Sequence, residues 1–199
     1  KKDWQYNENY RWLGIQASFY KGLSPMVARR ITKHVDRFLS PQWFGFRPRV
    51  GTPHAHHFLR RLIDHLLTAK GVTLYIHSVD FRKAFDSVLF HHLDKVLIAW
   101  GIPPKLRRLL CRMTVSYFRV IGTNGEENSS RRKQERGLKT GDPNAPLLFI
   151  LILALIGEGV EWSVRARFGN EVYESELSVT REPSCSYADD INGLSTRFK

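Results

Sequence analysis

The stretch Tyr187-Ala188-Asp189-Asp190 places two adjacent carboxylates between strand-like residues, with Ser184-Cys185-Ser186 before them and Ile191-Asn192-Gly193-Leu194 after them. Adjacent aspartates repel each other and strands disfavour aspartate, so the pair needs a positive partner to be held there. A divalent metal ion is the partner that this pattern favours.

A further acidic position follows a strand-like segment far upstream. Residues 72–79 read Val-Thr-Leu-Tyr-Ile-His-Ser-Val and run directly into Asp80. If the fold brings the two strand ends together, Asp80 and Asp189 can clamp two Mg²⁺ ions about 3.5–4 Å apart. The sequence therefore predicts a two-metal site whose acids come from distant parts of the chain.

The composition describes a packed and strongly basic globule. The chain has 199 residues, of which 42% are hydrophobic and 12% aromatic, and its formal net charge is +12. The hydrophobic content argues against disorder. The charge favours nucleic acid as a partner, while binding to a ribosome or a membrane surface stays open. Cys111 and Cys185 build no disulfide framework, which suits a reducing compartment.

Two features bear on location. The apolar run from Leu147 to Ile156 is shorter than the roughly 20 residues of a membrane span, so we expect a core helix and no membrane association. The chain begins Lys1-Lys2-Asp3, without Met or a signal-like segment. We therefore expect an intracellular piece of a longer protein.

Hydrophobic spacing and turn residues predict alternating helices and hairpins. Ser24 is expected to cap the first helix, Asp86 the third and Asp142 the last. Residues 42–49 are expected to be irregular because of Pro48, the preceding Pro41 and the nearby Gly51. Helices are predicted over 26–39, 53–69, 87–100, 105–116 and 143–156, and strands over 72–79, 117–123 and 131–136, with one further hairpin within 161–182.

Five motifs in one order carry a family resemblance: Gly45-Phe46-Arg47-Pro48, the Asp80 strand, Phe85-Asp86, residues 137–146, and Tyr187 to Asp190. Their order and spacing resemble the blocks of reverse transcriptases, most closely those of non-LTR retrotransposons and group II introns, from about Asn9 to Ser195. The resemblance implies an α+β right-hand polymerase fold, with an antiparallel palm sheet backed by helices. Residues 1–71 would contribute to the fingers and 72–199 would form the palm, with the hairpin at 117–136 also counted toward the fingers. By the same resemblance, we expect this piece to lack the thumb.

The same resemblance implies an RNA-directed DNA polymerase that adds dNTPs to the 3′-hydroxyl of a DNA primer on an RNA template. Asp80 and Asp189 would be ligands of two Mg²⁺ ions, for which Mn²⁺ can substitute. The backbone carbonyl of Phe81 would bind the nucleotide-side ion. Asp190 would supply a further ligand or negative charge.

Other residues take roles in substrate binding by the same resemblance. Phe85 occupies the place of the steric gate that rejects a ribose 2′-hydroxyl, although a plain core aromatic is the alternative. Gly141, next to Thr140, would let the main chain approach the base and sugar. The cations in positions that reach the template backbone or the triphosphate are Arg11, Arg47 and Arg49.

The chain also departs from the family pattern. Thr140 stands where the family usually has Gln, Asn144-Ala145 where it has Leu-Ser, and Trp12-Leu13 where it has Pro-Ile. His77-Ser78 place polar residues in a strand that is normally apolar. Two alternatives therefore stay open: a catalytically inactive RNA-binding domain of reverse-transcriptase type, and a group II intron maturase. A nuclear location follows if the parent is a eukaryotic retrotransposon protein.

Overall fold

The computed structural model describes residues 13–68, 72–121, 130–168, 184–188 and 190–198. The chain divides into two compact units that interleave along the sequence. The first unit comprises Lys1–Ile31 and Phe85–Phe149, and the second comprises Thr32–Ala84 and Ile150–Lys199. The assignment of residues 1–71 and 72–199 to fingers and palm is a functional division, and it stays a prediction.

The second unit contains a three-stranded antiparallel sheet in the order β1-β5-β4, formed by β1 (Val72–Asp80), β4 (Ser184–Tyr187) and β5 (Asp190–Phe198). The predicted strand at 72–79 is confirmed. Helix α2 (Thr52–Leu67) backs this sheet, because its buried Leu62 and Leu66 form a cluster with Leu74 of β1. The helix predicted over 53–69 is therefore confirmed.

The first unit contains α4 (Phe90–Ala99), α5 (Pro104–Thr114) and a two-stranded ribbon, β2 (Tyr117–Phe118) with β3 (Arg132–Lys133). Buried Leu93, Leu97 and Leu110 supply its helical core. Gly101 ends α4 in the left-handed region at φ 67°, which suits a glycine. The predicted hairpin is confirmed in its paired residues, and its Asn124-Gly125 turn lies outside the described residues.

The helix predicted over 87–100 corresponds to α4, which begins later, at Phe90, because a break separates it from the short helix α3 (Ala84–Ser87). The break occurs where Leu89 bridges Arg136 and where the carbonyl of Val88 accepts a hydrogen bond from Gly137 N at 2.7 Å. These tertiary bonds use backbone groups that a continuous helix would need. Asp86 consequently lies inside α3 and does not cap it.

Helix α1 spans Ser18–Val35, so the prediction that it starts after Ser24 and reaches residue 39 is wrong. Pro25 lies inside the helix, where it removes one intrahelical hydrogen bond. Ser24 is fully buried, and its hydroxyl donates to the carboxylate of Asp142 at 2.6 Å. A side chain engaged in a tertiary hydrogen bond is not available to cap a helix.

Helix α6 spans Asn144–Phe168. Its residues 147–151, 153 and 154 are buried, which confirms the predicted core helix. The helix continues to Phe168, past the predicted end at 156, so residues 161–168 are not part of the hairpin predicted within 161–182. Residues 169–183 lie outside the described part, and a hairpin there stays a prediction. Within the described residues, no helix combines the length and apolar character that a bilayer span requires.

Candidate active site

Two acids of the predicted site lie opposite each other at one end of the sheet. Asp80 is the last residue of β1, Asp190 is the first residue of β5, and the two are register partners. Directly opposed residues of an antiparallel pair project to the same face, with Cβ atoms about 4.5–5.5 Å apart. Both residues are exposed. The sheet thus brings together carboxylates that are 110 residues apart in sequence.

The opposed carboxylates fit a hard divalent cation. Like charges directly across a strand pair destabilise a sheet unless something neutralises them. In the described part of the chain the ion pairs are Arg47 with Asp36 and Arg107 with Asp94, so neither Asp80 nor Asp190 takes part in one. Oxygen ligands of this kind are those that Mg²⁺ and Mn²⁺ prefer. Asp189 lies outside the described residues, among which no three metal-ligating side chains converge.

The turn before Asp190 is conformationally strained. Tyr187 and Asp190 are register partners that close the β4–β5 hairpin, and Ala188 between them has φ 54°. The left-handed region costs a residue with a Cβ roughly 1–2 kcal/mol. Strain of this kind persists only where neighbouring structure enforces it, and it concentrates at functional sites.

The neighbouring structure that enforces the turn is the loop of residues 42–47. Trp43 forms an isolated parallel bridge with Ser186 of β4. Phe44 N donates to Ser186 O at 2.9 Å, and Ser186 N donates to Gln42 O at 3.1 Å. The loop therefore continues the sheet by one bridge beyond β4, and it fixes the hairpin that leads to Asp190.

Gly45 allows this loop to reach the turn itself. A Cβ at Gly45 would collide with the backbone N of Ala188 and would lie 2.9 Å from its Cα. A similar close approach occurs at Gly157 of α6, where a Cβ would lie 2.6 Å from the ring of Trp43. Sequence reasoning gave this block only a role in phosphate contact and missed its support of the hairpin. The available signal was a glycine between aromatic residues on both sides.

Arg47 is engaged inside the protein. Its Nε donates to Asp36 Oδ1 at 2.7 Å, and its terminal nitrogens donate to the carbonyls of Ser40, Trp43 and Asp36 at 3.0, 3.1 and 3.2 Å. These bonds use four of the five N–H donors of a guanidinium. Arg47 thus links Asp36, which follows α1, to the loop that supports the hairpin. Arg49 is exposed with φ 67°, and Arg11 lies outside the described residues.

Arg47→Lys is expected to lower the free energy of unfolding by about 2 kcal/mol, because an ammonium cannot reproduce the fork of bonds to three carbonyls and a carboxylate. Urea titration followed by circular dichroism measures this change. Arg60→Lys, on the exposed face of α2, is the matched control and should leave stability unchanged. Equal free energies of unfolding for both variants would contradict this linking role of Arg47.

Phe85 lies in the first unit, held from two sides. Its ring stacks on that of buried Phe149 with centroids 4.7 Å apart, and its carbonyl accepts a hydrogen bond from Leu138 N at 2.8 Å. Gly137, at φ 88°, approaches Asp86 so closely that a Cβ would lie 3.1 Å from the Asp86 Cα. The half-buried Phe85 ring is therefore fixed in position.

Thr140 and Gly141 form an adjoining turn in the same unit. Gly141 has φ 99°, a conformation that favours glycine, and it is exposed, whereas Thr140 is half-buried. The carbonyl of Thr140 accepts a hydrogen bond from Gly14 N at 2.9 Å. The turn is thus tied to the segment that precedes α1.

A buried polar network anchors this turn. Asp142 accepts hydrogen bonds from the hydroxyls of Tyr20 and Ser24 at 2.5 and 2.6 Å and from Asn144 N at 3.0 Å. The last bond gives Asp142 the helix-start role predicted for it. Burial foremost, and then the hydrogen bond to Asp142, raise the pKa of Tyr20, so its hydroxyl stays a donor. Burial lowers the pKa of Lys139, whose ammonium donates to Met113 O at 3.0 Å.

The network accounts for one departure from the family pattern. Asn144 is 2% exposed, and its Nδ2 donates to the Ser24 hydroxyl at 2.7 Å. A leucine at this position could not make that bond. Asn144 thus belongs to the same buried arrangement as Ser24.

The predicted site residues are distributed over both units. Asp80, Phe81, Asp190, Arg47 and Arg49 belong to the second unit. Phe85, Thr140 and Gly141 belong to the first. Phe81 is half-buried and directly follows β1.

The fold combines helices with a small antiparallel sheet that ends in the opposed acids Asp80 and Asp190. The chain belongs to the reverse transcriptase (RNA-dependent DNA polymerase) family, whose sequence model matches residues 1–198. The resemblance predicted from the motifs is confirmed. The expected mixed fold with a small antiparallel sheet is confirmed as well.

Particular relatives come from insect retrotransposable elements. The chain is 24% identical over 188 residues to the retrovirus-related Pol polyprotein of a type-2 retrotransposable element of Drosophila melanogaster. This alignment covers 92% of this chain and 16% of that protein. The chain is 31% identical over 85 residues to the corresponding polyprotein of a type-1 element of Popillia japonica, covering 42% of this chain and 14% of that protein. The chain thus spans about a sixth or less of the length of these relatives.

A solved structure with a similar fold is apo telomerase from Candida tropicalis, truncated from its C-terminal domain. The similarity has a TM-score of 0.56 at 11% identity and covers 88% of this chain and 34% of that one. At this identity, the likeness concerns the fold alone.

Proposed function

We propose that this chain is the catalytic region of a retroelement reverse transcriptase, which adds dNTPs to a DNA primer 3′-hydroxyl on an RNA template. The register pairing of Asp80 with Asp190 is the observation that carries the proposal. In this assignment the three-stranded sheet is the palm, and residues before 72 contribute to the fingers. The relatives among retrotransposable elements favour this class over a group II intron maturase.

The acids at the sheet end would hold the catalytic metal ions. Asp80, Asp189 and Asp190 supply carboxylate oxygens, and Phe81 supplies a backbone carbonyl next to Asp80. When bound, two Mg²⁺ ions make the primer hydroxyl easier to deprotonate and neutralise charge on the triphosphate and the leaving pyrophosphate. The bridge from residues 42–44 to Ser186 supports this role, because it holds the hairpin in one position.

Phe85, Thr140 and Gly141 would select the nucleotide. Gly141 presents a main chain without a side chain at an exposed turn, which permits close approach of a base and sugar. The Phe85 ring, stacked on Phe149, would exclude a ribose 2′-hydroxyl by occupying its space. Arg47 would act through the loop, with Arg49 and Arg11 left for phosphate contact.

Phe85→Ala is expected to reduce the preference for dNTPs over rNTPs roughly 10–200-fold, because the space denied to the 2′-hydroxyl becomes available. The ratio of kcat/KM values for single additions of dNTP and rNTP measures this preference. Phe85→Tyr keeps the ring and should keep the preference. An unchanged ratio in Phe85→Ala would leave Phe85 as a plain core aromatic.

RNA-templated primer extension tests the proposal as a whole. The assay uses the full reading frame that contains this chain, a labelled DNA primer on an RNA template, dNTPs and Mg²⁺. Extension that stops with a chelator and returns with Mg²⁺ or Mn²⁺ is the expected result. The replacement of the usual Gln by Thr140 favours a second candidate, an inactive RNA-binding domain. That candidate predicts RNA binding without extension under any metal condition.

A further inference from the structure

The ribbon of the first unit has an unusual surface. We define the basic ribbon as residues 115–121 and 130–136, which include β2 and β3. It carries five cations, namely Arg119, Arg131, Arg132, Lys133 and Arg136, against the one carboxylate of Glu135. These residues carry a net charge of +4, and the connecting residues 122–129 add Glu126 and Glu127, so that the whole stretch 115–136 has a net charge of +2.

Aromatic rings stand among these cations. The exposed fractions of Tyr117 and Phe118 are 57% and 44%, values that are high for aromatic residues in a packed domain. The guanidinium of Arg131 lies 4.6 Å from the centroid of the Tyr117 ring. This contact orients the ring by cation–π attraction and leaves its opposite face available.

The strand register gives each face of the ribbon a ring and a cation. Tyr117 is the register partner of Lys133, and Phe118 is the partner of Arg132. Opposed residues share a face and successive residues alternate, so Arg131 lies on the face of Tyr117 and Lys133. Each face thus presents a flat apolar surface beside positive charge.

The ribbon is also firmly anchored. Gln134 N donates to Ser116 O at 2.7 Å, and the Ser116 hydroxyl donates to Gln134 Oε1 at 3.0 Å. Gln134 Nε2 donates to Gly137 O at 2.7 Å. These bonds extend the pairing beyond the two strands and join the ribbon to the segment that contacts Val88 and Phe85. A fixed platform loses little conformational entropy on binding.

We propose that the basic ribbon binds single-stranded RNA on both faces. On one face an unpaired base stacks on Tyr117 and phosphates contact Arg131 and Lys133, and on the other a base stacks on Phe118 and a phosphate contacts Arg132. Stacking requires exposed base faces, which a duplex hides, and it tolerates any sequence. The surplus of cations fits a polyanion and opposes burial under an apolar protein segment. The choice of RNA rests on the proposed function, in which RNA is the template.

Helix α5 offers an internal comparison. Its Lys105, Arg108 and Arg112 are exposed and lie at helical spacing on one face. That face carries the same number of cations as the ribbon's three ligands and has no aromatic residue among them. It therefore distinguishes specific contact from the attraction of RNA to any basic surface.

The first experiment separates stacking from charge. Binding of a fluorescein-labelled, single-stranded RNA of about 20 mixed nucleotides is followed by fluorescence anisotropy, without nucleotide or Mg²⁺. Tyr117→Ala is expected to raise Kd about tenfold, in line with the loss of one stacked base. Tyr117→Phe keeps the ring and should bind as the wild type does. Equal Kd values for wild type and Tyr117→Ala would overturn the proposal.

The second experiment tests the cations against the matched surface. The triple variant Arg131→Ala, Arg132→Ala, Lys133→Ala should weaken binding more than Lys105→Ala, Arg108→Ala, Arg112→Ala, although both lose three charges. The slope of log Kd against log salt should fall by about 2 for the ribbon variant, as expected for three lost phosphate contacts on a single strand. Equal losses in both variants would mean that net charge alone accounts for binding, and would overturn the proposal.

Further arms identify the ligand and separate this inference from the enzymatic one. Duplex RNA should bind with little sensitivity to Tyr117→Ala, whereas single-stranded DNA that binds as tightly as RNA would refute the choice of RNA. Asp80→Asn should bind RNA as the wild type does. If the wild-type protein does not extend a primer but Tyr117→Ala lowers its RNA affinity, the polymerase assignment is rejected and the ribbon proposal stands. If the wild-type protein extends a primer but Tyr117→Ala keeps full RNA affinity, the ribbon proposal is rejected and the polymerase assignment stands.

Discussion

Asp80→Asn is expected to lower RNA-templated nucleotide addition about 1,000-fold while the protein becomes slightly more stable. Losing one charged ligand removes several kcal/mol of charge stabilisation from the transition state. A loss of about 4 kcal/mol corresponds to a 1,000-fold lower rate. Folding responds in the opposite direction, because Asp80 and Asp190 are opposed like charges in the metal-free protein. Removing one of them relieves about 0.2–1 kcal/mol of repulsion.

Single-turnover primer extension and thermal melting without metal measure the two effects. Asp64→Asn removes the same charge from the exposed face of α2 in the same unit, and should change neither activity nor melting. A loss of stability together with activity in Asp80→Asn would give Asp80 a structural role. Unchanged extension would remove the polymerase assignment.

Gly45→Ala is expected to lower nucleotide addition at least 100-fold, although it removes no chemical group from the site. The added methyl group would occupy the position of the Ala188 backbone, so the loop or the hairpin must move. Displacements of about 1 Å in a catalytic constellation cost on the order of 10²-fold in rate. Overpacking should also lower the free energy of unfolding by about 1–3 kcal/mol.

Gly22→Ala is the matched control for this substitution. Gly22 lies in α1, is exposed, and has nothing within 4 Å of the position that a Cβ would take. Alanine in a helix interior is favoured over glycine by about 1 kcal/mol, so Gly22→Ala should raise the melting temperature and keep full activity. If Gly45→Ala behaves in the same way, the loop does not support the hairpin.

The elements that the sequence predicted well are those whose signal is local. An apolar run that ends in an acid predicted β1 and the position of Asp80, and helical spacing predicted α2. Each of these patterns is complete within about fifteen residues. A contiguous pattern is readable without knowledge of what packs against it.

The features that the sequence did not predict depend on partners far away in the chain. Ser24 is a residue type that often caps a helix, yet its hydroxyl donates to Asp142 instead. Arg47 has the identity of a phosphate ligand, yet Asp36 and three carbonyls occupy its donors. The spacing of residues in the sequence does not show which hydrogen-bond partner a polar side chain will take, because that depends on distant segments that meet only in the fold.

The order of the strands in the sheet has a consequence for synthesis on the ribosome. Strand β5 is central, but among the described strands it is translated last, more than 100 residues after β1. Until it emerges, the nine residues of β1 lack their strand partner, and Tyr75, Ile76 and Val79 on this strand are exposed even in the folded chain. We therefore expect a nascent chain that stalls before residue 190 to be prone to aggregation. Chaperones that bind extended apolar segments should bind it during translation.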